Sequence, residues 1–196
     1  MTTKRHVLKI ALGLAAAVAG AAATAADTGP IKIGLILPMT GQSASTGRQI
    51  DAAVKLWVAQ NGSTIAGRKV EIILKDDGAV PDATKRIAQE LIVNDKVAVI
   101  AGFGITPTAL ATAPIATQSK TPLVVMAAAT SSITEASPYI IRTSFTLPQV
   151  TISIADWAAK NKIKKAVTLV ADYGPGFDAE TYFDSQFRLD GGQILD

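Results

Sequence analysis

The sequence predicts an α/β fold, a parallel sheet flanked by helices. Two observations carry this. Segments of strand and helix character alternate strictly from residue 31 onward, and the strand segments are apolar on both faces. Strands that alternate with helices and must be buried on both sides belong to parallel sheets with helices packed above and below.

The elements follow in order. Residues 31–37 read as a buried strand, and residues 38–45 as a loop of small and hydroxyl side chains. A helix begins at Thr46 or Gly47, with Ile50, Ala53, Val54, Trp57 and Val58 at helical spacing, and Asn61 and Gly62 end it. Gly67 and Arg68 form a turn before a second strand over residues 69–75, which Asp76, Asp77 and Gly78 break. Pro81 and Asp82 open a second helix whose inner stripe is Ile87, Leu91 and Ile92. The third strand spans residues 97–101, and its helix starts at Thr106 and Pro107, with Thr106 as the capping hydroxyl, and runs to about Gln118. A fourth strand at residues 123–126 leads to a short helical turn at 131–135 and a fifth strand at 139–143. Then come a helix over 148–161, a strand over 165–171, and a loop at 172–176. A helix through Phe177, Tyr182 and Phe187 precedes the start of another strand at 193–195.

Three segments are expected. Residues 1–25 have a basic start (Lys4, Arg5, Lys9), an Ala-rich apolar run from Ile10 to Ala23, and a small-x-small end at Ala23, Thr24 and Ala25. That is the pattern of a secretory signal peptide, cleaved after Ala25 or Ala26. Residues 26–147 form an N-terminal α/β lobe. Residues 148–196 form a connecting helix and the start of a second α/β unit too small to bury a core, so the sequence reads as the N-terminal part of a longer protein.

The chain carries a net charge of +3, with 19 basic and 16 acidic residues. Three of the basic residues and no acid lie in the export segment, so the remainder is neutral. No nucleic-acid partner is expected. The one histidine, His6, also lies there, and the chain has no cysteine. That excludes His-based acid–base chemistry, a Cys nucleophile and a His/Cys zinc site from the sequence past residue 25. No cofactor is expected. Gly102-Phe103-Gly104 begins like a dinucleotide fingerprint, but Pro107 stands at the third glycine's place, and no phosphate loop is present.

The chemistry is expected at loops that leave the carboxyl ends of the strands, where open α/β sheets bind ligands. Two follow the third and fourth strands, at residues 102–107 and 127–132. They offer unpartnered backbone N–H groups and small hydroxyls, which suit a carboxylate. Thr106 serves either as a helix cap or as a ligand contact, as does Thr130, beside which Ala127, Ala128 and Ala129 leave room. Ser43, Ser45 and Thr46 make local loop bonds or touch ligand. Asp76 and Asp77 are expected to form a solvated turn. Tyr173 is either a lid residue or an ordinary surface aromatic. Three or four charge-assisted bonds at about 1.5–3 kcal/mol each, together with apolar closure, reach about −8 kcal/mol, a micromolar dissociation constant.

Several motifs together resemble one family. They are the export segment, Ile33-Gly34-Leu35-Ile36-Leu37-Pro38-Met39-Thr40-Gly41, Asp76-Asp77-Gly78 followed by Pro81, and Val99-Ile100-Ala101-Gly102. Others are Ala128-Ala129-Thr130 followed by Ile133-Thr134, then Tyr139 with Arg142-Thr143, and Asp172-Tyr173-Gly174. In this order they resemble the periplasmic substrate-binding proteins of ABC importers for branched-chain amino acids. The resemblance implies a two-lobed periplasmic binding fold that closes on its ligand, with the second lobe incomplete here. It implies a periplasmic, non-enzymatic, monomeric receptor that delivers a small carboxylate to a membrane permease. The ligand carboxylate would be held by the loop at Ile105 and Thr106 and by Ala128 and Thr130, and covered by Tyr173; Phe103 and Ala129 are counted among the ligand-binding residues. The chain departs from the family's serine-rich loop at Ile105, Thr106 and Pro107; some relatives carry aromatic or other organic acids instead of amino acids, and the more apolar loop at Phe103 to Ile105 would suit these. The competing classes are an exported α/β hydrolase, for which no G-x-S-x-G is present, and the ligand-sensing domain of a receptor.

Overall fold

The structure, a computed structural model, describes residues 29–195. The expected export segment, residues 1–25, lies outside them. Six strands form the main sheet: β1 (Ile31–Leu37), β2 (Thr64–Ile65), β3 (Arg68–Asp76), β4 (Val99–Gly102), β5 (Leu123–Val125) and β6 (Ile140–Arg142). Their order is β2-β3-β1-β4-β5-β6, parallel throughout except for the short β2–β3 hairpin. The first connection runs from β1 to one side and the next crosses back over β1, so the order reverses between β1 and β4. A crevice opens at that switch point, above the carboxyl ends.

Helices α1 (Ala44–Asn61), α2 (Pro81–Val93) and α3 (Thr106–Ser119) connect these strands. The face under α2 and α3 holds the main core: Ile36, Leu91, Ile100, Phe103, Ala113, Leu123, Val125 and Ile133 all lie in it. Gly34 in β1 lets Leu91 approach, since a Cβ there would stand 2.7 Å from the Leu91 Cδ1. The other face is less well covered. In α1 only Ala44 and Gly47 are buried, and Trp57 of its apolar stripe is half exposed. Val54, Trp57 and Val58 border an apolar groove against Ile33, Val70 and Ile72.

Beyond β6 the chain enters α4 (Leu147–Lys160), started by a reciprocal cap between Thr146 and Gln149. It packs against α5 (Gly174–Leu189) through Ala155, Ala158 and Phe187, with Phe183 stacked on Phe187 at 5.4 Å. A second, parallel two-stranded sheet joins β7 (Lys165–Ala166) to β8 (Gln193–Ile194).

Four sequence expectations change. The first helix begins at Ala44, earlier than Thr46. The β2 strand was not anticipated, because two residues carry no periodicity. The expected strand at 165–171 shrinks to Lys165–Ala166, with Leu169 fully exposed, because a parallel strand needs neighbours and only β8 lies beside it among the described residues. Thr106 is not a cap: Ile105 holds the cap position and Thr106 is the first helical residue.

Candidate functional site

The site is built from the loops above β1, β3, β4 and β5. Their backbones are stitched together. The Phe103 N–H donates to the Ile36 carbonyl at 3.0 Å, and the Ala128 N–H donates to the Phe103 carbonyl at 3.0 Å. Gly102 makes this possible. Its φ is +120°, and a Cβ would stand 2.0 Å from the Ile36 oxygen, so no side chain fits. Two carboxylates shape the neighbouring loops. Asp76 accepts from the Met39 N–H (2.8 Å), the Thr40 hydroxyl (2.8 Å) and the Gly78 N–H (2.9 Å). Burial pushes its carboxyl up, but these bonds outweigh that and hold it below the usual value. Asp77 is 2 % exposed and accepts from the Ala79 N–H and the Thr84 hydroxyl. The expected solvated turn is therefore corrected at Asp77. It is a buried anchor for the start of α2, since a carboxylate inside must be hydrogen-bonded.

At the centre, the Thr106 and Thr130 hydroxyls lie 2.7 Å apart, both buried. One hydroxyl donates to the other, so the pair keeps one free O–H. The backbone adds further donors: no acceptor among the described residues meets the N–H of Ile105, Thr106, Ala129 or Thr130. The N–H of Thr106 sits in the first turn of α3, where the helix itself provides no partner. The arrangement presents a free hydroxyl and helix-terminal N–H groups with no acid among them, which is chemistry for an anion rather than for bond breaking.

Beside this pair lies an open cleft of about 620 Å³, lined by Gln42, Ser43, Gly78, Ala79, Pro81, Ile105, Pro107 and Tyr173. Loops from three strand ends supply its floor, and Tyr173, at the start of α5, supplies the opposite wall. Gly174 brings that wall close, with the Thr106 methyl 3.8 Å from where a Gly174 Cβ would stand.

Of the expected ligand residues, Ser43, Ile105 and Tyr173 line the cleft, and Thr106, Thr130 and Ala129 lie at the hydroxyl pair. Three expectations are corrected. The Phe103 side chain is fully buried in the core, so it has no surface to offer a ligand. The Ala128 N–H is already bonded to Phe103 and is not free for a carboxylate. Thr46 lies inside the first turn of α1, its N–H bonded to the Ser43 carbonyl, and it does not line the cleft.

Sequence reasoning missed the cleft residues Gln42, Ala79, Pro81 and Pro107 as lining. It also missed Asp178, on α5, which accepts from both the N–H (2.9 Å) and hydroxyl (2.5 Å) of Ser131. No sequence signal links positions 47 residues apart. Among the described residues, no group of acidic, His or Cys side chains could hold a metal ion, and no helix is long and apolar enough to cross a membrane.

The family described as periplasmic binding protein matches residues 30–196. The chain belongs to this family. A Leu/Ile/Val-binding protein homolog 6 from Brucella abortus (strain 2308) is 42 % identical over 189 residues, 96 % of this chain and 48 % of that protein. The chain thus spans about half the length of the curated relatives it matches. Among solved structures, a solute binding protein of an ABC transporter from Rhodopseudomonas palustris BisB5, in complex with 3,4-dihydroxybenzoic acid, is 65 % identical with a TM-score of 0.83, covering 85 % of this chain and 46 % of that one. One from Rhodopseudomonas palustris HaA2, in complex with p-hydroxybenzoic acid, is 45 % identical with a TM-score of 0.83 and the same coverage. A leucine binding protein from Thermotoga maritima is 30 % identical with a TM-score of 0.76, covering 84 % of this chain and 47 % of that one. These relatives are solute-binding proteins rather than enzymes, and the mostly parallel sheet with flanking helices is the fold they share.

Proposed function

We propose that this chain is the cleft-forming half of a periplasmic receptor for an aromatic carboxylate of the hydroxybenzoate type, delivered to the membrane permease of an ABC importer. The observation that carries this reading is the 65 % identity to a solute binding protein in complex with 3,4-dihydroxybenzoic acid. The geometry supports it. The ligand carboxylate takes the free O–H of the Thr106–Thr130 pair and the N–H groups of Thr106 and Ala129. The ring lies in the cleft between Ile105 and Tyr173, whose uncharged lining suits a flat apolar body with a polar end. Branched-chain amino acids are the second reading, favoured by the leucine binding relative at 30 % identity.

In the same proposal, residues 1–25 direct export and are removed, the receptor is monomeric, and the lobes divide near residue 147, between the six-stranded and two-stranded sheets. Calorimetric titration of the full-length mature protein with 4-hydroxybenzoate, 3,4-dihydroxybenzoate, benzoate and leucine tests the reading. Micromolar or tighter binding of the hydroxybenzoates, at least tenfold tighter than leucine, is about the 1.4 kcal/mol difference expected for a matched cleft. Binding of leucine alone would replace it with the second reading.

A further inference from the structure

The polar contact between α5 and the ligand loops is concentrated at one residue. Asp178 is half-buried and faces Ser131, the first residue of the 3₁₀ turn Ser131–Glu135. Its two carboxylate oxygens accept from the Ser131 N–H at 2.9 Å and hydroxyl at 2.5 Å. The turn has no side-chain cap of its own: Thr130 holds the cap position, but its hydroxyl is turned to Thr106 instead. Asp178 therefore caps from another element what Thr130 leaves uncapped. On the far side, the Arg142 Nη2 donates to the Ser131 carbonyl at 3.2 Å. Burial lowers the Arg142 guanidinium from its usual value and the Asp178 charge opposes that, so the two side chains sense each other across Ser131. The next loop residue but one, Ala129, accepts at 2.9 Å from the N–H of Leu147, the first residue of α4.

The loop that carries Thr130 is thus pinned at Ala129 and at Ser131 by groups from α4 and α5, while Thr130 projects between them. Rotation of α5 away from the sheet would release Ser131 and carry off Tyr173, the far wall of the cleft. We propose that Asp178 is a positioning residue for solute capture: it clasps α5 to the ligand loop through Ser131, holds Thr130 against Thr106, and favours the closed cleft. The proposal rests on the solute-binding reading for its effect on affinity, but not for its effect on closure. A clasp that favours closure raises the population of the binding-competent state, and apparent affinity scales with that population.

The test uses full-length mature protein with Asp178→Ala, Asp178→Asn, Ser131→Ala and the Asp178→Ala/Ser131→Ala pair. Two readouts are taken: the affinity for 4-hydroxybenzoate, and the radius of gyration of ligand-free protein by small-angle X-ray scattering. Thermal melts select variants that remain folded. Asp178→Ala should weaken 4-hydroxybenzoate about tenfold and enlarge the ligand-free protein, as expected when the bias toward closure is lost. Asp178→Asn, which keeps an acceptor, should show a smaller change, and the double variant should match Asp178→Ala rather than add to it. If the unaltered protein binds no carboxylate, the solute reading fails and the scattering comparison alone decides the clasp. Unchanged scattering in Asp178→Ala overturns the clasp in either case.

Discussion

The hydroxyls of Thr106 and Thr130 lie 2.7 Å apart in a buried contact that joins the start of α3 to the loop after β5. Each hydroxyl is the other's partner. Thr130→Val keeps the shape and leaves the buried Thr106 hydroxyl without its partner. Loss of one buried partner costs about 1–3 kcal/mol, seen as a lower urea midpoint. The double variant Thr106→Val/Thr130→Val should cost less than the sum of the singles, because it strands no polar atom. The double variant should also bind 4-hydroxybenzoate at least about tenfold more weakly, since no hydroxyl is left there to donate to the carboxylate.

Gly102 carries the close approach of β4 to β1. Gly102→Ala would set a methyl 2.0 Å from the Ile36 oxygen at a φ of +120°. The loop cannot yield without breaking the Phe103-to-Ile36 bond. A loss of about 3 kcal/mol or more is expected, read as a lower melting temperature or as insoluble protein. A stable, ligand-binding Gly102→Ala protein would show that the loop tolerates another path.

Asp76 should make stability depend on acid. Its folded carboxyl sits below the ordinary value of 3.8, since the Gly78, Thr40 and Met39 bonds outweigh burial. A group whose folded value is depressed binds more protons when unfolded, so its contribution is present above the ordinary value and is lost as pH falls through the folded one. Melting temperature should therefore fall as pH drops below about 4, and Asp76→Asn should flatten part of that fall. Melts at a series of pH values in both proteins check this.

Much of the fold was legible in the sequence because it rests on local signals. The apolar runs at β1, β4 and β5, Pro81 and Pro107 in first turns, and the residues of the 3₁₀ turn Ser131–Glu135 each report their own surroundings. The site was only partly legible. Ile105, Thr106 and Thr130 stand at strand ends, where topology predicts function. Phe103 and Ala128 stand there too, but the inward path of the Gly102 backbone turns the Phe103 side chain into the core and binds the Ala128 N–H. Asp77 reads as half of a polar turn, and only its contact with Thr84, a turn of helix later, makes it a buried anchor. Asp178 and Ser131 meet only because α5 folds back over the sheet, and no spacing rule reports that.

The most direct test is a crystal structure of the full-length mature protein with 4-hydroxybenzoate. A carboxylate oxygen is expected at about 2.7 Å from the Thr106 or Thr130 hydroxyl, as for a charge-assisted O–H bond, with the ring between Ile105 and Tyr173. A ligand seated with its phenol end at the threonine pair, or outside this cleft altogether, would contradict it.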